Sequence, residues 1–223
     1  MNLSKSFEFF NPESCQEDIH IIGCGSVGST VAELLARFGL TNFNLYDFDV
    51  VEEHNLVNQM FTTEDLYHPK AEMVAGHLIS INPEIKDHLV LYSEGWDGHM
   101  LSGYVFLCVD SIELRKRIVT ENKFNGNIKA VFDFRTGLTE AQHYAADWSR
   151  MEDKNALLNT MNFTDAEANQ AVPMSACHVS LCVAPTVRLV SLVGVTNFIN
   201  FAKGGTLNKV VLTDAFTPMV EVL

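Results

Sequence analysis

Hydrophobic and polar positions change their spacing twice between residues 19 and 47. A short apolar run at 19–22 leads into a glycine-rich turn, after which apolar residues recur every three or four positions as far as Phe38. A second apolar run at 43–46 ends at Asp47. This pattern predicts a buried strand, a tight turn, an amphipathic helix and a second buried strand, which is the beginning of a nucleotide-binding βαβ unit.

The rest of the chain alternates strands and helices in the manner of an α/β fold. Further strands are predicted at 88–92, 104–109, 128–134 and 142–148, the last at a sheet edge, and a closing hairpin at 209–213 and 219–222. Helices are predicted at 69–81, 112–119 and 187–201. We therefore predict a Rossmann-like, doubly wound, mainly parallel sheet with antiparallel strands at its C-terminal end.

The length of the chain favours one domain over residues 1–223, because 223 residues suit a single α/β domain. Residues 1–18 are predicted to form an N-terminal arm. Its Phe7, Phe9 and Phe10 contact the domain or a second subunit, or the arm docks only loosely. Residues 149–178 are mostly polar, with two weak helical stretches, and are predicted to form a crossover arm.

Composition argues against two classes of function. The chain is 47% hydrophobic and 19% charged, which is enough for a buried core. Its net charge is −13 with only 15 Lys and Arg, and nucleic-acid binding needs clustered cations, so we expect no nucleic-acid partner. The most apolar segment, 189–202, is too short to cross a bilayer and is predicted to be a core helix, so we expect no membrane partner.

Cysteine usage indicates a reducing compartment. The five cysteines are odd in number and form no Cys-x-x-Cys pair, which predicts neither a disulfide framework nor a structural zinc site. Residues 1–17 carry acidic and polar side chains where a signal peptide has an apolar segment. We therefore expect a cytoplasmic protein.

Three glycines and one acid carry the first chemical prediction. Gly23 allows the tight turn, Gly25 lets backbone N–H groups approach a phosphate, and Gly28 lets the helix pack closely on the strand. The positive end of that helix then points at the anion. Asp47 ends the second strand, where such folds place an acid that binds ribose hydroxyls. Together these positions favour nucleotide binding over a glycine turn that serves packing alone.

Polar residues further along extend the predicted site. The irregular segment 47–59 leaves the carboxyl end of a strand, where open α/β sheets bind their ligands. Lys70 falls in the first turn of a helix, where a cation is disfavoured, so either an anion holds it there or it is a solvated surface lysine. Asp110 ends the fourth strand and either faces the same ligand or caps the following helix.

The motifs occur in one order between residues 19 and 117: Gly23-x-Gly25-x-x-Gly28, Asp47-x-Asp49, Asn55-Leu56-x-x-Gln59, Pro69-Lys70, Asn82-Pro83 and Val109-Asp110. This order resembles the ThiF/MoeB family, relatives of the ubiquitin-activating enzymes. The resemblance implies that ATP, with Mg²⁺, adenylates the C-terminal carboxylate of a small ubiquitin-like or sulfur-carrier protein ending Gly-Gly. It also implies a homodimer.

The resemblance further implies roles for individual residues. The implied nucleotide-binding residues are Gly23, Gly25, Ser26, Gly28, Asp47, Asp49, Asn55, Gln59, Lys70 and Asp110. Among them, Asp47 would hold the ribose and Asp110 the Mg²⁺, and the polar side chains of Asn55, Gln59 and Lys70 would face the triphosphate. The implied catalytic positions are Asn55, Asn58, Lys70, Asp110 and Cys177.

Departures from the family pattern bear on catalysis. Asn58 stands where the family usually has an arginine that stabilises the polyphosphate, and asparagine has no charge to replace it. The family's N-terminal arginine motif and the zinc-binding cysteine pairs of many members have no counterpart in this chain. Cys177, beside His178, is either a nucleophile whose thiolate the histidine favours or an inert cysteine before a core helix.

Three functions stay open on these grounds. The first is an adenylyltransferase that activates a ubiquitin-like or sulfur-carrier protein. The second, favoured by Asn58, is a catalytically weak or inactive relative that binds nucleotide or a partner. The third is a dinucleotide-dependent dehydrogenase, which would have no use for Asn55, Gln59 and Lys70.

Overall fold

The strands of the computed structural model, which describes residues 1–171, 173 and 181–223, form one mixed sheet. They are β1 (Ile19–Ile22), β2 (Phe43–Tyr46), β3 (Val90–Tyr92), β4 (Gly103–Leu107), β5 (Ile128–Thr136), β6 (Glu140–Asp147), β7 (Val210–Asp214) and β8 (Met219–Val222). Their spatial order is β3-β2-β1-β4-β5-β6-β7-β8. The predicted mainly parallel sheet with antiparallel C-terminal strands is confirmed.

The helices connect these strands and cover both faces of the sheet. They are α1 (Ser26–Arg37), α2 (Lys70–Ile81), α3 (Ile112–Glu121), α4 (Met151–Asn159), α5 (Asp165–Ala171) and α6 (Ala184–Ala202). Short 3₁₀ helices occupy Pro12–Ser14, Glu53–Val57, Thr63–Asp65 and Pro83–Asp87. The helices predicted at 69–81, 112–119 and 187–201 are confirmed, and so are the two weak helical stretches of the crossover arm.

The strand order reverses beside β1, and this reversal locates the site. β1 pairs in parallel with β2 on one side and with β4 on the other. Because the strands are parallel, the loops that follow β1, β2 and β4 leave the same edge of the sheet next to one another. Open α/β sheets bind ligands at such a point, at the carboxyl ends of their strands. We refer to this side of the sheet as the carboxyl edge.

Two hydrophobic layers hold the helices on the sheet. On one face, Val31 of α1, Val74 of α2 and Val190 of α6 belong to one buried cluster. On the other face, Ile118 of α3 and Leu157 of α4 belong to a second cluster. Every residue of β4 is buried, as its uniformly apolar sequence predicts for a strand that is covered on both faces.

Two details of the predicted strands are wrong. β6 is not at a sheet edge, because it pairs with β5 on one side and with β7 on the other. The apolar and polar residues of β6 alternate because one face of the sheet is less covered there. Antiparallel strands inside a sheet show this alternation as well as edge strands do. The third strand begins at Val90 instead of residue 88, because Pro83–Asp87 forms a 3₁₀ helix that His88 ends.

The N-terminal arm docks on the sheet domain, and one of its three phenylalanines is buried there. Phe10 is buried, and its ring meets that of Phe38 edge-on at 5.9 Å between centroids. Phe7 and Phe9 are exposed, and the ammonium group of Lys203 lies 3.7 Å from the centroid of the Phe9 ring. Among the described residues, none of the helices combines the length and the apolar character that a bilayer span requires.

Candidate functional site

The turn between β1 and α1 brings backbone segments closer than side chains would allow. Gly23 has φ +94°, and a Cβ there would lie 2.9 Å from the carbonyl carbon of Cys108, just beyond β4. A Cβ on Gly28 would lie 1.8 Å from the carbonyl oxygen of Gly23. Only glycine therefore lets α1 begin this close to the ends of β1 and β4.

The first turn of α1 opens at the carboxyl edge without a side-chain cap. Gly25 is the N-cap residue, and no side chain of the described residues accepts a hydrogen bond at that cap. The first N–H groups of a helix have no partner within the helix, and the helix dipole places partial positive charge at this end. Gly25 and Ser26 thus present backbone donors of the kind that hold a phosphate.

Asp47, which follows β2, is held in place by two backbone donors. Its Oδ2 accepts a hydrogen bond from the N–H of Cys24 at 2.7 Å, and its Oδ1 accepts one from the N–H of Asp49 at 2.8 Å. Burial raises the pKa of this carboxyl above its usual value, although the two N–H donors and the nearby Lys70 act in the opposite direction. Asp47 therefore ties the glycine turn to the loop after β2.

Lys70 and Asp49 form an ion pair beside this loop. Lys70 begins α2 and is only 7% exposed, so the alternative of a solvated surface lysine is wrong. Its Nζ lies 2.9 Å from Oδ2 of Asp49, whose side chain is 52% exposed. The pair borders an open cavity of about 410 Å³, lined by Phe48, Asp49, Val50, Glu52, His54, Asn55 and Lys70. The partner of this buried cation is therefore a carboxylate that a ligand can reach.

Asn55 and Gln59 come from the 3₁₀ helix after this loop and from the residues that follow it. Asn55 is buried, and its Oδ1 accepts a hydrogen bond from the N–H of Glu52 at 2.9 Å, which caps that helix. Gln59 places a buried Oε1 near Gly25, and this atom has no hydrogen-bond partner among the described residues. An unpaired buried acceptor beside the glycine turn can accept a hydrogen bond from a ligand.

Asn58 points toward a different element. Its Nδ2 donates a hydrogen bond to the carbonyl oxygen of Cys182 at 2.9 Å, two residues before α6 begins. The side chain thereby joins the loop after β2 to the N-terminal end of α6. The sequence predicted a catalytic position here, and the structure gives Asn58 a linking contact.

Asp110 is exposed at the carboxyl edge, and it makes no hydrogen bond or ion pair to any residue for which the structure gives a position. The alternative in which it caps α3 is wrong, because Ser111 is the N-cap residue and its Oγ accepts from the N–H of Leu114 at 3.1 Å. Asp165, the first residue of α5, adds a second cap: its carboxylate accepts from the hydroxyl of Ser111 at 2.8 Å and from the N–H of Ile112. The crossover arm therefore contacts the residues next to Asp110.

A buried group of charges, which the sequence analysis missed, holds the backbone next to Asp110. Arg115 of α3 is buried and donates to the carbonyl oxygens of Leu107 and Val109 and to the carboxylate of Asp133. Asp133 is fully buried and also pairs with Arg135, whose guanidinium donates to Thr160 at the end of α4. The signal in the sequence was that Arg115 lies on the apolar stripe of its helix and Asp133 within an apolar strand.

The cysteines differ in how much the structure says of them. Cys177 and His178 lie outside the described residues, so the predicted nucleophile stays a prediction. Burial raises the pKa of the Cys24, Cys108 and Cys182 thiols, which favours their role as packing residues. Over residues 1–171, 173 and 181–223, no three His, Cys, Asp or Glu side chains gather as a metal site.

Comparison with solved structures shows the same fold in proteins of low sequence identity. The structure matches PaaA with a TM-score of 0.74 at 16% identity, covering 94% of this chain and 73% of that one. It matches a structure of E. coli MccB with ATP with a TM-score of 0.68 at 17% identity, covering 95% of this chain and 65% of that one.

Sequence comparison gives relatives and a family. The chain is 29% identical over 147 residues to ubiquitin-like modifier-activating enzyme 5 of Culex quinquefasciatus, covering 52% of this chain and 37% of that protein. It is 31% identical over 121 residues to the Aedes aegypti protein of the same name, covering 47% of this chain and 30% of that protein. The matches thus span well under half the length of these relatives. The model of the ThiF family matches residues 14–222, and the chain therefore belongs to the ThiF family.

Proposed function

We propose that this chain adenylates the C-terminal carboxylate of a small ubiquitin-like or sulfur-carrier protein ending Gly-Gly, with ATP as the second substrate. The observation that carries the proposal is the hydrogen bond from the N–H of Cys24 to Asp47, which fixes the ribose-binding acid against the phosphate-binding turn. Membership of the ThiF family supports it, as do relatives named for activating a ubiquitin-like modifier and a neighbour solved with ATP.

The reaction needs charge stabilisation more than covalent chemistry from the protein. A carboxylate oxygen of the carrier attacks the α-phosphorus of ATP, the bond from that phosphorus to the bridging oxygen breaks, and pyrophosphate leaves with the bond's electron pair. The N–H groups at Gly25 and Ser26 face the accumulating negative charge, and the side-chain oxygens of Asp47 accept from the ribose hydroxyls. The protein thus acts chiefly by orientation and electrostatics.

Two residues of the site fit a magnesium–nucleotide complex. Asp110 offers an exposed carboxylate, and Mg²⁺ in such sites is bound by one or two carboxylates together with substrate phosphates. When bound, Mg²⁺ neutralises the charge on phosphate oxygens. Lys70 serves the phosphates as a fixed cation, and Asp49 holds its ammonium group at the mouth of the cavity until they bind. Asn55 lines the same cavity, and Gln59 places its buried side-chain oxygen near Gly25.

A pyrophosphate-exchange assay tests the proposal. Purified protein, ATP, Mg²⁺ and a small β-grasp protein ending Gly-Gly are mixed with radiolabelled pyrophosphate, and label enters ATP only if adenylation is reversible at this site. We expect exchange that depends on the intact Gly-Gly end and disappears in Asp47→Ala. The same carrier without its last glycine is the matched control. Exchange with neither carrier, under conditions where ATP binds, would contradict the proposal.

A catalytically weak or inactive relative is the second candidate, and one observation favours it. The amide group of Asn58 donates a hydrogen bond to the carbonyl oxygen of Cys182, and the side chain brings no charge to the site. Asn58→Arg separates the two candidates, because a phosphate-facing arginine accelerates related transfers by orders of magnitude. Exchange that rises steeply in Asn58→Arg, or that the unmodified chain already shows, supports the adenylyltransferase, whereas a chain that binds ATP and shows no exchange in either form supports the inactive relative.

A dinucleotide-dependent dehydrogenase is the third candidate. The Lys70–Asp49 pair disfavours it, because an ion pair at the mouth of the cavity suits a triphosphate and has no part in hydride transfer. Calorimetric titration with NAD beside ATP decides between them. Tighter binding of NAD would favour the dehydrogenase and overturn the adenylyltransferase.

A further inference from the structure

We propose that Arg188 of α6 binds the β- and γ-phosphates of the nucleotide and the pyrophosphate that leaves. This inference rests on the proposed function, since it assigns a phosphate-binding residue to the same site. It supplies the cation that Asn58 lacks from a different element of the fold.

The position of α6 brings Arg188 to the correct edge of the sheet. The hydroxyl of Thr186 donates to the carbonyl oxygen of Leu138 at 2.8 Å, and Leu138 lies in the turn between β5 and β6. Because β5 is parallel to β4 and β4 to β1, this turn and the glycine turn between β1 and α1 lie at the same edge. α6 and α1 therefore both begin at the carboxyl edge.

Hydrogen bonds link Arg188 to the start of α1. A terminal nitrogen of the Arg188 guanidinium donates to the hydroxyl of Thr30, and that hydroxyl donates to the carbonyl oxygen of Ser26 at 2.8 Å. Ser26 is the first residue of α1 and Gly25 its N-cap. The guanidinium is thus two hydrogen bonds from the turn that presents its N–H groups to phosphate.

The charge of Arg188 has no carboxylate to balance it. The side chain is half-buried, and it forms no ion pair with any described residue. The undescribed positions, 172 and 174–180, contain no Asp or Glu. Arg188 also lies in the second turn of α6 and beside the first turns of α1, where two helix dipoles disfavour a cation. Every other half-buried or buried arginine described here, Arg115 and Arg135, pairs with Asp133.

Two further features of this corner fit an anion. The first turn of α1 has no side-chain cap within the described structure, so its N–H groups remain open to a ligand. Asn58, which is neutral, holds the N-terminal end of α6 through the carbonyl of Cys182, and this contact keeps Arg188 near the turn. A guanidinium fork matches phosphate oxygens in geometry as well as charge. A polyphosphate therefore satisfies the helix ends and the arginine together.

Calorimetry with adenosine, AMP, ATP and inorganic pyrophosphate tests the assignment. For Arg188→Gln we expect affinity for ATP and pyrophosphate to fall about ten- to hundred-fold, the loss of one charge-assisted interaction, while adenosine affinity is unchanged. Arg188→Lys should lose less. Arg37→Gln is the control, because it removes the same charge from an exposed pair with Glu33 at the far end of α1.

Two further variants exclude a purely structural role. Thr30→Val removes the hydrogen bond but keeps the guanidinium, and we expect it to bind pyrophosphate as well as the unmodified chain does. Asn58→Arg combined with Arg188→Gln should regain the lost affinity, because the charge returns from the other side. Unfolding midpoints of all variants are measured in parallel.

The outcomes for the inference and for the proposed function are separate. Unchanged ATP and pyrophosphate affinity in Arg188→Gln overturns the inference while leaving the adenylation site intact. An equal loss for adenosine and ATP also overturns it, because the variant then disturbs the whole site. Pyrophosphate binding that depends on Arg188, in a chain that binds no adenosine, supports the inference and contradicts the proposed function.

Discussion

The carboxyl ends of β2 and β4, on either side of β1, each carry an acid, but the fold treats the two acids differently. Asp47 after β2 is partly buried and accepts two backbone hydrogen bonds, from Cys24 and Asp49. Asp110 after β4 is exposed and has no side-chain partner in the parts of the chain with assigned positions. The backbone fixes the orientation of the first acid, whereas no described residue fixes that of the second.

The support behind Asp110 acts through the backbone instead. Arg115 holds the carbonyl of Val109, the residue before Asp110, and Asp165 holds the hydroxyl of Ser111, the residue after it. The comparison therefore separates two ways of placing a carboxylate: fixing its oxygens directly, as at Asp47, or fixing the chain on both sides of it. A directly fixed acid suits a neutral ribose, and a free one suits a metal ion that sets its own geometry.

The largest expected effect comes from removing the charge that supports the β4 end. Asp133→Asn leaves the buried Arg115 and the half-buried Arg135 without a carboxylate, and breaking a buried ion pair on one side costs about 3–5 kcal/mol of unfolding free energy. Urea denaturation measures this loss. Glu33→Gln, which breaks the exposed pair with Arg37, should cost less than about 0.5 kcal/mol. If Asp133→Asn lost as little unfolding free energy as Glu33→Gln, the charges around Asp133 would not support the carboxyl end of β4.

Asp110→Asn should next separate activity from stability. We expect magnesium-dependent pyrophosphate exchange to fall by a factor on the order of 10²–10³, the usual cost of losing one electrostatic group at a reacting centre. The unfolding free energy should stay within about 0.5 kcal/mol, because an exposed side chain without a described partner supports nothing in the fold. Adenosine affinity serves as the control. Exchange that survives in this variant would remove Asp110 from the site.

Acid pH should weaken binding through Asp47. Burial raises the pKa of this carboxyl, so it takes up a proton at a higher pH than an exposed aspartate does. Only the carboxylate accepts from both ribose hydroxyls, and affinity should therefore fall as pH decreases through that raised pKa. Adenosine is the ligand of choice, since it has no phosphate that titrates in the same range. In Asp47→Asn the affinity for adenosine should be weaker and should not change over the same pH range. If it changed with pH as much as in the unmodified chain, a group other than Asp47 would be responsible.

The smallest expected effect concerns the contact between the crossover arm and α3. Asp165→Ala removes a helix cap, which costs about 1 kcal/mol, and should raise the Mg²⁺ concentration needed for half-maximal exchange. Glu167→Ala is the matched control, because among the residues with described positions Glu167 bonds only to Thr164, within the same arm. Equal magnesium requirements in the two variants would show that the arm does not help to place Asp110.

Much of the β2 side of the site could be predicted because its signals are local. Residues 19–47 contain the glycine turn, the start of α1 and Asp47. Their spacing in the sequence is enough to predict that they lie together. Lys70 was correctly placed in the first turn of α2, and the dipole argument that it needs an anion is met by Asp49. The sequence could not show which anion, since that depends on how the loop between them folds back.

The β4 side depended on contacts between distant segments, and there the predictions failed or were incomplete. The capping alternative for Asp110 was wrong because Ser111 and Asp165 take that role. Arg115 and Asp133 are 18 positions apart and meet only when α3 packs on the sheet. A charge on an apolar stripe signals that a partner exists without identifying it. Arg188 carried the same signal within the apolar residues of α6.

Calorimetric titration of ATP, with and without Mg²⁺, into the unmodified chain and into Asp47→Ala and Asp110→Ala tests the central claim most directly. The account predicts binding that Mg²⁺ strengthens, the loss of all binding in Asp47→Ala, and the loss of the magnesium dependence alone in Asp110→Ala. Binding of ATP that is indifferent to Mg²⁺ and unaffected by both substitutions would show that the carboxyl ends of β2 and β4 are not the nucleotide site.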